Sequence, residues 1–300
     1  MAGLGIWISA FRLRTLPLAM SATILGSFLA FDQGVYRWSV LILGMLTTLF
    51  LQVLSNLAND YGDAQKGTDN EHRLGPQRLT QAGLVSKKAM RRMIILFVVL
   101  SLITGSSLIY FGLGPSISPL YLLFFILGIT AIFAAIKYTI GKRPYGYAGF
   151  GDIMVFIFFG ILGVTGTYYL HTHIFNWDIL MPASAIGLFS VGVLNLNNLR
   201  DRENDKVNGK ITLVVRMGLS WAKIYHLNLL LLGFILSLIY TLLNFTSAYQ
   251  FLFVLSLPFL VSNILKVLLN TVPVELNSEL KKLALATLLF SLSFGIGLIL

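Results

Sequence analysis

Nine apolar stretches, each about as long as a bilayer is thick, constrain this chain of 300 residues more than any other feature. They cover 15–31, 39–59, 93–112, 119–138, 150–170, 179–199, 222–243, 249–269 and 281–300. A helix needs about 20 apolar residues to cross the hydrocarbon core, and in lipid a helix satisfies its own backbone polar groups. With 56% of residues apolar and 11% charged, no stretch is left for a soluble domain. The expectation is an all-α membrane protein in which residues 1–300 form a single integral membrane domain of nine transmembrane helices.

Arg12 and Arg14 precede the first apolar stretch, as in a secretory signal. No small-residue cleavage site precedes a soluble mature sequence, so the stretch reads as the first helix. Cysteine is absent, which excludes disulfides, thiolate catalysis and Cys-ligated metals. The net charge of +10 could suggest nucleic acid, but its placement says otherwise. Of 22 Lys and Arg residues, 21 sit at 12 and 14, 66–92, 137–143, 200–223 and 266–282, and only Arg37 falls in the alternate loops. By the positive-inside rule, the N-terminus and the cation-rich loops face the cytoplasm, and Leu300 lies outside. The chain is expected to meet membrane lipid and no nucleic acid.

Carboxylates gather in the same loops. Asp60, Asp63, Asp69, Glu71, Asp201, Glu203 and Asp205 make seven of the 12 acidic residues. Spacings of three and four residues place Asn56, Asp60 and Asp63 on one helical face, with Asn59 beside them. Asn198, Asp201 and Asp205 repeat that arrangement four spans later, so the chain reads as a weak internal duplication whose two acidic faces bracket a central cavity. Such acids in a membrane protein are costly unless they bind something. Mg²⁺ prefers oxygen ligands and commonly bridges one or two carboxylates to substrate phosphates. Lys66, Arg73, Arg78, Lys206 and Lys210 supply donors suited to phosphate oxygens. Taken singly, each Asp could equally be a solvated helix end. His171 and His173 read as interfacial residues, and His72 and His226 as isolated ones.

The segments Arg12 to Pro17, Ser55 to Asp63, Arg73 to Arg78, Lys137 to Tyr147, Gly151-Asp152 and Leu276-Asn277, with the two aspartate-rich motifs, resemble the UbiA superfamily of intramembrane prenyltransferases. They are closest to its 1,4-dihydroxy-2-naphthoate polyprenyltransferase branch. The wider superfamily commonly has a third Asp where this chain has Gly67, and the next acid here is Asp69, as in the naphthoate branch. The resemblance implies the UbiA-type fold, a polyprenyl diphosphate donor, 1,4-dihydroxy-2-naphthoate as acceptor, and a demethylmenaquinone product of menaquinone biosynthesis formed with decarboxylation. It further implies Mg²⁺ held by Asp60, Asp63, Asp69, Asp201 and Asp205, with Asn56, Asn59 and Asn198 lining the substrate site.

On that reading Lys137, with Lys66, Arg73, Arg78 and Lys142, binds diphosphate, and the Tyr138 ring faces the allylic cation. Tyr145 and Tyr147 fit an interfacial aromatic belt better. Asp152 either orients or deprotonates an acceptor hydroxyl or pairs with a loop cation. Arg12 and Arg14 either attract the acceptor carboxylate or serve topology alone. Gly160, Gly163 and Gly166 either let helices approach closely or leave room for the prenyl tail. Rival readings are an acceptor of the 4-hydroxybenzoate or homogentisate type, or a membrane transporter. Charges at the cytoplasmic ends of spans, away from the midplane, count against the transporter.

Overall fold

The computed structural model describes residues 3–67, 74–75 and 78–300, and every regular element among them is helical. Among the described residues, nine helices are long and apolar enough to cross a membrane. They are α1 (Gly5–Asp32), α2 (Trp38–Lys66), α3 (Lys87–Leu113), α4 (Pro119–Lys137), α5 (Gly151–Thr172), α6 (Trp177–Val207), α7 (Leu219–Leu243), α8 (Ala248–Leu269) and α9 (Pro273–Ile299). Each contains one of the expected apolar stretches nearly whole, and the differences lie at the ends. α2 and α6 continue seven and eight residues past the expected limits of 59 and 199, because a helix need not stop where its apolar residues do. α2 stops at Gly67, whose φ of 73° suits a residue without Cβ.

α1 is interrupted. Its first segment, Leu4–Phe11, ends at Arg12 in the left-handed region with φ of 50°. A short 3-10 turn, Leu13–Thr15, precedes the continuation Leu16–Asp32, where Pro17 occupies a first-turn position that needs no N–H donor. Such a break strands backbone carbonyls. The Asn56 amide of α2 donates to Phe11 O at 3.0 Å and to Thr15 Oγ1 at 3.1 Å, so α2 satisfies what the break exposes.

α6 and α9 pack against each other and, with α1, α5, α7 and α8, enclose a continuous apolar cluster. Phe189, Phe253, Phe290 and Phe294 meet at its centre with ring centroids 5.1 to 5.8 Å apart. A second cluster joins α2, α3 and α4 through Leu54, Leu57, Met90, Ile94 and Ile132 and takes in Leu79 and Val85 from the loop after α2. Because lipid tails are as apolar as leucine, close packing holds such helices together more than burial does. A Cβ on Gly160 would stand 2.5 Å from Gly187 Cα and 2.7 Å from Ala183 O, and one on Gly163 would stand 2.8 Å from Ala22 Cβ. These two glycines therefore serve helix contact, whereas Gly166 faces only Phe124.

His171 and His226 differ from expectation, whereas His173 is exposed as an interfacial residue would be and His72 lies outside the described residues. His171 is fully buried, not interfacial, with Nε2 3.0 Å from Ser27 Oγ on α1. His173 meets Arg37 and the Gly112 carbonyl. His226, expected to be isolated, is buried with Nε2 2.9 Å from Asn263 Oδ1, and the Asn263 amide donates to Glu279 at 3.1 Å. This polar chain links α7, α8 and α9.

Candidate active site

Both acidic faces lie on the last turns of α2 and α6, where the helix dipole presents its negative end. Asn56, Asp60, Asp63, Asn198, Asp201 and Asp205 are all buried. Carboxylates in that position need cations or N–H donors, and each finds them.

On α2, the two oxygens of Asp60 accept from the backbone N–H groups of Leu79 at 3.1 Å and Thr80 at 3.2 Å, which pins the returning loop over the helix end. Asp63 accepts from Arg78, itself buried, at 3.1 Å and from the Tyr147 hydroxyl at 2.8 Å. Asn59 accepts from Thr139 Oγ1 at 3.3 Å. Gly62 permits this contact, because a Cβ there would stand 2.6 Å from that hydroxyl. The segment after α4 is thus pressed against the acidic end of α2.

On α6, Asp205 pairs with the buried Lys210 at 3.3 Å. Burial alone would lower the Lys210 pKa, but the charges of Asp205, Asp63 and Asp201 outweigh it and raise the value above that of an ordinary lysine. Asp201 accepts from Arg200 through both oxygens, at 2.9 and 2.5 Å. Arg200 also donates to Asn197 and to Asn277 of α9, each at 2.8 Å.

Tyr147 joins the two faces. Its hydroxyl reaches Asp63, its carbonyl accepts from Ile211 N at 3.1 Å, and its ring lies 5.7 Å from Lys210 Nζ and 5.1 Å from Lys66 Nζ. The sequence suggested a belt residue, yet this tyrosine connects α2 to the segment after α6. Tyr138 is half-buried, edge-on to Tyr145 at 5.4 Å and against the start of α5 at Gly151. Burial first, then the charges of Asp152, Asp63 and Asp205, push its pKa up, so its ring stays a neutral phenol. Asp152 is buried and accepts from Tyr225 at 3.4 Å.

Two of the expected cations stand apart from this cluster. Lys137 is exposed with Nζ 5.5 Å from the Phe133 ring, and Lys142 is exposed. Arg12 and Arg14 are half-buried at the break in α1. Asp69 and Arg73 lie outside the described residues. Sequence reasoning missed Arg200, Asn277 and Tyr225 as neighbours of the site. Arg200 carried a signal, a cation inside the run Asn198 to Asp205, but it read as one more loop charge.

Two buried oxygens suit a cation. Asp205 Oδ2 and Asn198 Oδ1 have no hydrogen-bond partner among the described residues. Among the described residues no three His, Cys, Asp or Glu side chains are gathered closely enough to cage a metal ion by themselves. The donor set therefore fits an ion shared with another anion better than one caged wholly by protein.

Comparison with known proteins agrees with this architecture. The UbiA prenyltransferase family matches residues 19–290. A 1,4-dihydroxy-2-naphthoate octaprenyltransferase of Haemophilus influenzae is 44% identical over 99% of this chain and 96% of its own length. One of the same name from Escherichia coli is 42% identical over 98% of this chain and 95% of its own. A UbiA homolog from Archaeoglobus fulgidus, solved bound to GPP and Mg²⁺, superposes with a TM-score of 0.63 at 19% identity, covering 97% of this chain and 99% of that one, and it shares the fold. On the family match and the near full-length identity, this chain is an integral membrane protein belonging to the UbiA prenyltransferase family.

Proposed function

We propose that the protein transfers a polyprenyl group from polyprenyl diphosphate to 1,4-dihydroxy-2-naphthoate with loss of CO₂, giving the dihydroxy (quinol) form of demethylmenaquinone for menaquinone biosynthesis. The observation that carries this reading is the convergence of both aspartate-rich faces on Tyr147 and Lys210, with unpartnered oxygens at Asp205 and Asn198. The names of the full-length relatives fix its chemical class.

Asp60, Asp63, Asp201 and Asp205 would hold Mg²⁺, with Asp69 as a further candidate outside the described residues. Bound there, the ion supplies Lewis-acid stabilisation of charge developing on the leaving diphosphate. Lys210 and Arg78, now paired with Asp205 and Asp63, become donors to diphosphate oxygens, with Lys66 at the rim. Arg73, Lys137 and Lys142 remain candidates for the same task, though Lys137 would have to leave the Phe133 ring.

The allylic carbon to oxygen bond breaks, and the diphosphate takes the bonding pair. The neutral Tyr138 ring offers its face to the allylic cation while water is kept away. The ring carbon bearing the carboxylate forms the new bond, and departure of CO₂ returns a pair to the ring. Asp152, held by Tyr225, orients the acceptor hydroxyl. Arg12 and Arg14 attract the acceptor carboxylate. The charge asymmetry of the loops supports an inner-membrane protein with both acidic loops and the N-terminus cytoplasmic. We treat residues 1–300 as one catalytic domain.

The test is incubation of purified protein with Mg²⁺, octaprenyl diphosphate and, in turn, 1,4-dihydroxy-2-naphthoate, 4-hydroxybenzoate or homogentisate. Efficient prenylation of the naphthoate alone is expected, with a product mass lacking the carboxyl group. A product that keeps it refutes the coupled decarboxylation, and preference for 4-hydroxybenzoate refutes the acceptor.

A further inference from the structure

The sequence singled out Leu276-Asn277 without giving it any task. Asn277 sits in the first turn of α9, half-buried, and makes three hydrogen bonds that leave its amide a single orientation. Its Oδ1 accepts from Arg200 at 2.8 Å, and its Nδ2 donates to Val274 O at 3.0 Å and to Leu74 O at 3.1 Å. A guanidinium can only donate and a carbonyl can only accept, so a flipped amide would lose every one of these contacts.

Each partner leads to one acidic face. Leu74 lies on the loop that leaves α2 and returns at Leu79 and Thr80, whose N–H groups cover Asp60. Arg200 presents Nε and one terminal nitrogen to the two oxygens of Asp201 and gives its remaining bonds to Asn277 and Asn197. A guanidinium is a rigid plane, so fixing its far edge fixes the carboxylate at its near edge.

We infer that Asn277 is a positioning residue for the metal and diphosphate site: it orients Asp201 through Arg200, and its Leu74 bond holds the amide in the orientation that does so. This rests on the proposed metal-diphosphate reading. Partners that orient a ligating group typically change metal affinity by about 10-fold to 100-fold when lost. Asn277 lies at the low end, because Asn197 still supports the guanidinium after it is removed.

The experiment titrates Mn²⁺ into the purified full-length protein with inorganic diphosphate present, reading free Mn²⁺ by electron paramagnetic resonance. Wild type should saturate, and failure to do so would refute the metal reading itself. Given saturation, Asn277→Ala should need about 10-fold more Mn²⁺ for half-occupancy. Arg200→Lys keeps the charge but loses the fork, and it should weaken binding in the same direction. The double variant should bind no more weakly than Arg200→Lys alone, since one residue acts through the other. Wild-type affinity in Asn277→Ala overturns the inference, even with a lowered melting temperature, since that pattern marks a purely structural contact. Additive losses in the double variant overturn it as well.

Discussion

Replacing Lys210 with Met tests whether the protein's own cations neutralise the acidic faces when no metal is bound. Met keeps the apolar stem and removes the ammonium, so the change isolates charge. Lys210 Nζ lies 3.3 Å from Asp205 Oδ1, and both side chains are almost wholly shielded, at 9% and 3% exposure. At an effective dielectric constant of about 20 this separation corresponds to roughly 5 kcal/mol of attraction. Removing one partner of a buried pair typically costs about 3–5 kcal/mol, with the Coulomb figure at the upper end of that range. The assay is equilibrium unfolding in mixed micelles after treatment with EDTA. Lys210→Met with Asp205→Asn should regain most of the loss, because neither charge is then buried alone. The raised pKa of Lys210 sets the pH dependence. A base whose pKa is higher folded than unfolded contributes fully below its unfolded value of 10.5, and loses that contribution only as pH rises through the folded value, so Lys210 itself stays charged across the neutral range. A metal-free Lys210→Met protein within about 1 kcal/mol of wild type would refute the reasoning.

Three further outcomes are expected. Asp60→Asn and Asp201→Asn should abolish nearly all turnover while leaving the protein folded and inserted; near-normal rates at saturating Mg²⁺ would sink the metal assignment. Gly160→Ala should destabilise the bundle by about 1–3 kcal/mol, since its Cβ meets the α6 backbone; unchanged thermal stability in detergent would show that the two helices can separate freely. Reporter fusions after Ser86 and Asn208 should both report cytoplasm and a fusion at Leu300 the opposite side, and acidic loops on opposite faces would be incompatible with one shared site.

The nine crossings were legible because a bilayer demands apolar length, and that demand is written residue by residue. Where the helices ended was not. Asp60, Asp63, Asp201 and Asp205 lie inside α2 and α6, past the end of the hydropathy signal, so spacing revealed their shared face but not their burial. Lys137 and Tyr138 are adjacent, yet one turns towards the Phe133 ring and the other towards α5, a difference of helix phase at the end of α4. Tyr147 and a belt tyrosine look identical in sequence, and only the return of the chain at Ile211 separates them. Asn277 is 77 positions from Arg200, a separation that no local pattern spans.

The charges of the described site residues nearly cancel, and that bears on how substrate gets in. Four carboxylates, Asp60, Asp63, Asp201 and Asp205, stand against three cations, Arg78, Arg200 and Lys210. A diphosphate adds several negative charges to a buried place already slightly negative, and burying uncompensated charge is prohibitive. Lys210 and Arg78 can turn from carboxylate to phosphate, but that only moves the deficit back onto Asp205 and Asp63. Divalent cations bound with the diphosphate would remove it, with the vacated Asp205 and Asp63 as the residues that would hold them. Metal and diphosphate should therefore bind with strong mutual dependence, each raising the affinity of the other by the same factor. Arg200 is the exception among the three cations: with Asn277 holding Nη1 and Asn197 sharing Nη2 with Asp201, it should stay on Asp201 and keep that carboxylate in place while the rest of the site exchanges partners.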